Sequence, residues 1–512
     1  MEEIKKEIEI NKEIEKKKEK IKSWLKNKNF AFLSAILIFA FFVRIYFFQI
    51  AKNQTHWWDS LAYGNIAKNL IFHMWDESVY ILGELNIRPP LLPYLWSILL
   101  RLNFSDASSI FFLELLPSVV SVWLIFLIAK EMYGRDVGYV SAFLFSVSWI
   151  HIFYSLRMLT DVPSLAFSLA SLYFFIKSYE NVDSRRFSFS IFFLSFAVLT
   201  RYVYAIIGVV YIVFLLINHK HKIFLNKKFY RGGLIGATPL IIFFLMNLYF
   251  HGNIMPATSV YQAGAESQPF AFYTLSLFTS ILLKPWLSFF IIGLTFVVFS
   301  LFLHYGQINK SKLASMHLFN LLVLAMGLGF FIFFLRAAED RYLFMIFLPL
   351  LVFTSLGLVY VSNFLRKYSK LLGVIFLLAI LFFGAYYQLK LANEIIVSRA
   401  STFRQMKEAF LWVKENTPED AVFLGMGVEP YAIYYSERPV EAWPQKDFEN
   451  SVEQVIENSD YLVINAFHPT EEKITNYINQ NLQNRLETAY VSFFDQAQTQ
   501  PAVIIYKIKK EI

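Results

Sequence analysis

The sequence predicts an α-helical membrane protein with many spans and a small α/β domain at its C-terminal end. Of its 512 residues, 56% are hydrophobic and 19% are aromatic, and the apolar residues come in long blocks. A block of about 20 apolar residues can cross the hydrocarbon core of a bilayer as a helix. After residue 390 the pattern changes to alternating helical and strand-like segments, which is typical of an α/β domain.

Eleven hydrophobic blocks are predicted to span the membrane. They are 30–50, 109–129, 137–155, 161–177, 187–200, 202–218, 232–250, 285–304, 315–335, 342–362 and 370–389. Basic residues collect in alternate loops, on the same side as the lysine-rich N-terminus. The positive-inside rule puts that side in the cytoplasm, and an odd number of spans then puts the C-terminus outside.

These patterns divide the chain into three parts. We expect residues 1–29 to form a charged, helical cytoplasmic tail, residues 30–390 a membrane domain, and residues 391–512 an extracytoplasmic α/β domain. The first outer loop, 51–108, is long and contains two amphipathic helical segments, one of them starting at Asp59. The expected location is the cell membrane.

Composition argues against several kinds of site and partner. The chain has no cysteine, which excludes disulfides and thiolate metal sites. The net charge of +8 is explained by the cytoplasmic loops, so we expect no nucleic-acid partner. His56 precedes Asp59 by three residues, but two ligands are too few for a metal. We therefore predict neither a metal nor another cofactor.

Charged residues near the outer ends of the predicted spans are candidate functional residues, because charge at membrane depth is costly. They are Asp59, Arg88, Arg157, Asp161, Arg201, Arg336 and Arg341. Each also has a purely structural interpretation. The two aspartates could cap the N-termini of helices, and the arginines could extend to the interface or pair with nearby acids.

The combination of aspartates and arginines on one side favours a particular chemistry. A carboxylate can accept the proton of an attacking hydroxyl. Arginines can bind a phosphate and stabilise the charge that it gains as a leaving group. Residues of these types near the membrane surface indicate hydroxyl attack on a substrate whose leaving group is a lipid phosphate. They do not identify the sugar.

Six motifs follow one another in a characteristic order. They are WWDSLAYGNIAKNL, RPPLLPYL, LRMLTDVP, LTRYVY, HGNIMPATS and DRYLFMIFLPLL. In this order, over most of residues 30–390, the chain resembles the GT-C superfamily of membrane glycosyltransferases. The resemblance is to the branch that contains protein O-mannosyltransferases and lipid A aminoarabinose transferases.

The resemblance implies inverting transfer of a sugar from a polyprenyl- or dolichyl-phosphate carrier to a hydroxyl acceptor on protein, glycan or lipid, at the outer face. Asp59 matches the catalytic aspartate of the first outer loop, and Asp161 the second acidic residue near the site. Arg88 matches the residue that contacts the carrier phosphate, with Arg201 and Arg341 as further phosphate-binding residues. Ser60 stands where many protein O-mannosyltransferases have Glu, which weakens the case for protein O-mannosylation.

Two other functions remain open from the sequence. A transporter or flippase of lipid-linked precursors would carry charges through the membrane midplane and internal repeats, and the sequence shows neither. A non-catalytic binder of such precursors would keep a phosphate site without turnover. Release of sugar from a lipid-phosphate donor in the presence of an acceptor separates both from an enzyme.

The predicted topology can be tested with sealed, right-side-out vesicles. Protease added outside should remove the domain after residue 390 and leave the N-terminal tail intact, because only the former is exposed. Immunoblotting for tags at the two termini measures both outcomes. Digestion of the N-terminal tag alone would show that the orientation is reversed.

Overall fold

The computed structural model describes residues 28–73, 79–180, 183–254, 281–283, 285–308, 310–335, 339–444, 447–468 and 470–510. Nearly all of the predicted cytoplasmic tail, most of the loop 251–284 and Arg336 lie outside the described residues.

The described part of the membrane domain is built from helices. They are α1 (Lys28–Ala51), α2 (Trp58–Phe72), α3 (Val79–Ile87), α4 (Leu91–Arg101), α5 (Asp106–Tyr133), α6 (Arg135–Ser146), α7 (Trp149–Tyr154), α8 (Asp161–Ser178), α9 (Ser184–Thr200), α10 (Ala205–His219), α11 (Lys227–His251), α12 (Trp286–Leu303), α13 (Lys312–Gly329), α14 (Phe347–Arg366) and α15 (Lys370–Arg399). Short 3-10 turns precede α10 and α14, at Tyr202–Tyr204 and Asp340–Ile346.

Eight helical stretches in the described residues are long and apolar enough to cross a membrane, so the prediction of a multi-span helical protein is confirmed. The other three predicted spans correspond to shorter or more polar helices. The block 137–155 is divided between α6 and α7, α8 begins with an aspartate, and α9 has 17 residues. The count of eleven spans stays a prediction.

The break between α6 and α7 is stabilised by polar side chains from other helices. Fully buried Arg44 of α1 donates from Nη1 to the Ser146 carbonyl at 3.0 Å, where α6 ends. The Trp149 N–H, at the start of α7, donates to Gln388 Oε1 of α15 at 2.9 Å. Because buried backbone groups must find partners, these side chains allow the helix to be interrupted inside the membrane domain.

The C-terminal part contains a five-stranded sheet with helices around it, as predicted. The helices are α16 (Arg404–Asn416), α17 (Glu429–Tyr431), α18 (Phe448–Asn458) and α19 (Glu472–Tyr477), and the strands are β1 (Phe423–Gly425), β2 (Val440–Glu441), β3 (Tyr461–Asn465), β4 (Leu486–Phe493) and β5 (Pro501–Ile508). The strand order is β2-β1-β3-β5-β4, with β1 parallel to both neighbours and β5 antiparallel to both of its own. The sequence did not predict β2 or α18. The boundary at residue 390 stays a prediction, and α15 runs through it.

The C-terminal domain contacts α2, the helix of the first outer loop. Asn65 Nδ2 donates to the Pro430 carbonyl at 3.1 Å, and Lys68 Nζ donates to the Tyr434 carbonyl at 2.7 Å. Gly64 precedes Asn65 in the same helix, and a Cβ there would approach the Tyr434 ring to 2.5 Å. The absence of a side chain at Gly64 therefore lets the two parts of the protein pack closely.

Two glycines bring α12 and α14 into close contact. A Cβ at Gly293 would lie 1.8 Å from the Phe353 carbonyl oxygen, and one at Gly357 would lie 2.1 Å from the Phe289 carbonyl oxygen. Small residues at helix crossings are a common way to gain packing contacts in membranes, where lipid gives no hydrophobic driving force between helices.

We expect Gly293→Ala to destabilise the protein by about 1–3 kcal/mol, because the added methyl group must push two helix backbones apart. The matched control is Gly329→Ala in α13, where a Cβ would meet no atom within 4 Å. That variant should be neutral or slightly stabilising, since alanine favours a helix over glycine. Thermal unfolding in detergent compares the two, and equal midpoints would contradict the close approach of α12 and α14.

Candidate active site

All five predicted site residues meet in one network of ion pairs. Arg88 Nη1 donates to Asp59 Oδ1, and Arg341 Nη2 donates to Asp59 Oδ2, each at 2.9 Å. Arg201 Nη1 lies 2.7 Å from Asp161 Oδ1, and Arg341 Nη1 lies 4.0 Å from Asp161 Oδ2. Arg341 therefore links the two aspartates.

The five residues come from five separate segments, each at or near the end of a helix. Asp59 is in the first turn of α2, and Arg88 directly follows α3. Asp161 begins α8, Arg201 directly follows α9, and Arg341 is in the 3-10 turn before α14. The segments are up to 282 residues apart along the chain, so folding alone brings them together.

Neither aspartate is a helix cap, so the capping interpretation is wrong for both of them. The N-cap position of α2 is Trp57 and that of α8 is Thr160, and neither helix has a side-chain cap hydrogen bond. The carboxylate of Asp59 points at two arginines instead, since their full charges attract it more strongly than the partial charges of backbone N–H groups. A position in the first helical turn still favours a negative charge.

The two carboxylates differ in access. The Asp59 side chain is 30% exposed, whereas that of Asp161 is 1% exposed. Burial by itself raises the pKa of the Asp59 carboxyl group, but the ion pairs with Arg88 and Arg341 outweigh it and lower that pKa to about 2. Asp59 is thus an accessible, ionised carboxylate, whereas the surrounding side chains cover Asp161.

Two acidic residues extend the network beyond the predicted set. Glu84 of α3 accepts a hydrogen bond from Arg88 Nε at 2.6 Å, and Glu339 pairs with Arg341 Nε. The spacing of four between Glu84 and Arg88 is a sequence signal that could have identified the first pair. The second pair confirms that Arg341 binds a neighbouring acid, Glu339, and Arg341 makes this contact in addition to its contact with Asp59.

Tyrosine rings border the same arginines. The Arg88 guanidinium lies 5.2 Å from the centre of the Tyr63 ring, and the Tyr342 ring lies 5.0 Å from Arg201 and 5.7 Å from Arg341. Such cation–π contacts orient a guanidinium without neutralising it. Tyr63 is four residues after Asp59 and so lies on the same side of α2.

Arg157 is outside this network. Its Nη1 donates to the Phe153 carbonyl at 2.9 Å, and its guanidinium stacks 3.7 Å from the Phe153 ring and 4.4 Å from the Trp57 ring. Arg157 and Asp161 are therefore close in sequence but do not form a pair in the structure. Asp161 instead pairs with Arg201, which directly follows α9.

His56 belongs to a separate cluster. Its Nε2 lies 3.2 Å from Asp106 Oδ2, and Tyr434 of the C-terminal domain donates to the other oxygen of Asp106 at 2.7 Å. Within the residues described above, no group of three or more histidine, cysteine, aspartate or glutamate side chains could hold a metal ion.

Comparison with known structures identifies the fold. It is similar to ArnT from Cupriavidus metallidurans bound to undecaprenyl phosphate (TM-score 0.62, 12% identity, 95% of this chain and 98% of that one). It is also similar to the Archaeoglobus fulgidus oligosaccharyltransferase tethered with an acceptor peptide (0.63, 13%, 95% and 75%). A third similar structure is the arabinofuranosyltransferase AftD from Mycobacteria (0.54, 12%, 94% and 40%). The chain therefore has the fold of the GT-C membrane glycosyltransferases, as its motifs predicted.

The family comparison gives a narrower match. Residues 87–249 match the model of the family described as dolichyl-phosphate-mannose-protein mannosyltransferase. This region includes Arg88, Asp161 and Arg201, whereas Asp59 and Arg341 lie outside it. No sequence among the curated proteins matches the chain.

The low pKa of Asp59 predicts how stability depends on pH. The folded-state pKa of about 2 is below the ordinary value of 3.8, so the ion pairs stabilise the fold fully above 3.8. That stabilisation, at most about 2 kcal/mol, is lost as the pH falls towards 2. The difference in free energy of unfolding between wild type and Asp59→Asn should stay constant from pH 7 to 5 and fall by about half at pH 3. A difference that is unchanged at pH 3 would contradict the paired state of Asp59.

Proposed function

We propose that the protein is an inverting glycosyltransferase that moves a sugar from a polyprenyl- or dolichyl-phosphate carrier to a hydroxyl acceptor at the outer face of the membrane. The observation that carries the proposal is the network of Asp59 with Arg88 and Arg341, continued by Asp161 and Arg201. The GT-C fold and the mannosyltransferase family match support a lipid-phosphate-sugar donor in general terms.

In this proposal Asp59 is the general base. The acceptor oxygen attacks the anomeric carbon from the side opposite the phosphate, its proton passes to the Asp59 carboxylate, and the bond from carbon to phosphate oxygen breaks. Inversion follows from the single displacement. Asp59 suits this role because its carboxylate is accessible, whereas buried Asp161 serves to hold Arg201 and Arg341 in position.

The arginines are proposed to bind the carrier phosphate. A guanidinium is planar, always charged and able to donate two parallel hydrogen bonds to phosphate oxygens. Arg88 and Arg341 approach the same carboxylate from two segments, and Arg201 lies behind them beside Asp161. A phosphate between these groups would leave without a proton, because its new charge is stabilised by arginine.

The membrane location follows from the fold, and the orientation of the site is part of the proposal. By the positive-inside rule, we place the network of Asp59 and its arginines at the outer surface. A lipid-linked sugar and a hydroxyl on a protein, glycan or lipid could both reach it there. The nature of the sugar depends on the shape of the pocket, which fold-level similarity does not carry over.

Asp59→Asn should lower transfer by about 10²- to 10⁴-fold, because a carboxamide cannot accept the proton of the acceptor. The assay measures release of sugar from a panel of polyprenyl- and dolichyl-phosphate sugars with hydroxyl acceptors. The matched control is Asp183→Asn, which also exchanges one carboxylate for a carboxamide. Asp183 caps α9 by accepting from Arg185 N at 3.1 Å, a contact that asparagine can keep.

The outcomes distinguish the proposal from its alternatives. Normal transfer by Asp59→Asn would remove Asp59 as the base and make Asp161 the next candidate. Donor binding by wild type without any sugar release would favour a non-catalytic binder. Movement of intact donor across a vesicle membrane would favour a flippase.

A further inference from the structure

The nitrogen atoms of Arg88 and Arg341 that are best placed to bind a phosphate already donate hydrogen bonds to Asp59. Nη1 of Arg88 and Nη2 of Arg341 each donate to one oxygen of the Asp59 carboxylate at 2.9 Å. A phosphate, like a carboxylate, accepts hydrogen bonds from charged N–H groups, so it competes with Asp59 for these donors. The proposed base and the proposed leaving group therefore share their binding partners.

Each of these two arginines is also held at a different atom. Glu84 binds Arg88 through Nε at 2.6 Å, and Glu339 binds Arg341 through Nε. Contacts at Nε fix the plane of a guanidinium and leave the terminal amino groups directed elsewhere. The arginines can consequently change their partner at Nη without leaving their positions.

We propose that donor phosphate displaces Asp59 from Arg88 and Arg341, with Glu84 and Glu339 holding the two arginines in place during the exchange, so that donor binding itself releases the base. This inference rests on the proposed function and specifies how its site works. Glu84 and Glu339 are positioning residues in it, because they act through the arginines.

The exchange keeps the charges paired. An arginine in a poorly hydrated site is costly without an anion, and replacement of a carboxylate by a phosphate satisfies the same donors. Once Asp59 no longer accepts hydrogen bonds from the two arginines and a phosphate offsets part of their charge, the effects that hold its pKa at about 2 weaken, and its pKa rises. A carboxylate with a higher pKa is a stronger base, so proton transfer becomes efficient only when the donor is present.

The consequence is that Asp59 weakens donor binding. We expect Asp59→Asn to bind undecaprenyl phosphate at least about 5-fold more tightly than wild type, because the phosphate no longer competes with a carboxylate. Arg88→Ala should bind it at least about 10-fold more weakly. Isothermal titration of the purified full-length protein in detergent measures both, and thermal unfolding confirms that each variant is folded. Asp59→Ser repeats the test if the asparagine variant does not fold.

The variant Glu84→Gln distinguishes displacement of Asp59 by the phosphate from a general effect of net charge at the site. It removes one negative charge beside the same arginine, but at Nε instead of Nη1. Under the exchange, its affinity for undecaprenyl phosphate should be unchanged or lower, since the anchor of Arg88 is weakened. Glu453→Gln, which removes a carboxylate that pairs with Arg485 in the C-terminal domain, should bind like wild type.

Two results would overturn the exchange. One is unchanged affinity in Asp59→Asn, and the other is an equal gain in Asp59→Asn and Glu84→Gln, which would mean that only net charge matters. If Arg88→Ala and wild type bind undecaprenyl phosphate equally, the proposed donor site itself is wrong. Loss of binding in Arg88→Ala with no gain in Asp59→Asn would reject the exchange and leave the donor site supported.

Discussion

The arrangement of the site depends on the pairing of Asp59 with two arginines. Charged groups near membrane depth are costly unless they meet an opposite charge, and Arg341 can meet Asp59 only if the first outer loop lies beside the 3-10 turn before α14. Arg341 continues the pairing to Asp161, and through it to Arg201. One chain of alternating charges thereby connects five helix ends.

The C-terminal domain also helps to position Asp59, because it binds α2, the helix that carries this residue. Asn65 and Lys68 bind the 430–437 segment, and Gly64 lets the Tyr434 ring approach α2. Asp59 sits in the first turn of the same helix. The domain that resembles an independent module in sequence therefore also forms part of the scaffold of the candidate site.

The contacts of single charged residues differ from those that their positions in the sequence indicate. Asp59 and Asp161 each stand at a helix start, where a cap is the usual role, and both instead direct their carboxylates at arginines. Arg157 lies four residues before Asp161 and nevertheless stacks on Trp57 and Phe153. Local spacing predicts local hydrogen bonds, but it does not include partners from other segments, such as Arg88 and Arg341, which lie 29 and 282 residues from Asp59.

The sequence by itself determined the membrane-embedded helical class, the small α/β domain and the five candidate site residues, because hydropathy, periodicity and rare charges near spans are local properties. Tertiary structure alone decided that these five residues form one network, and that Asp59 is accessible whereas Asp161 is buried. The physical reason is that ion pairing and burial depend on which helix ends meet, and helix packing brings together residues that are remote along the chain.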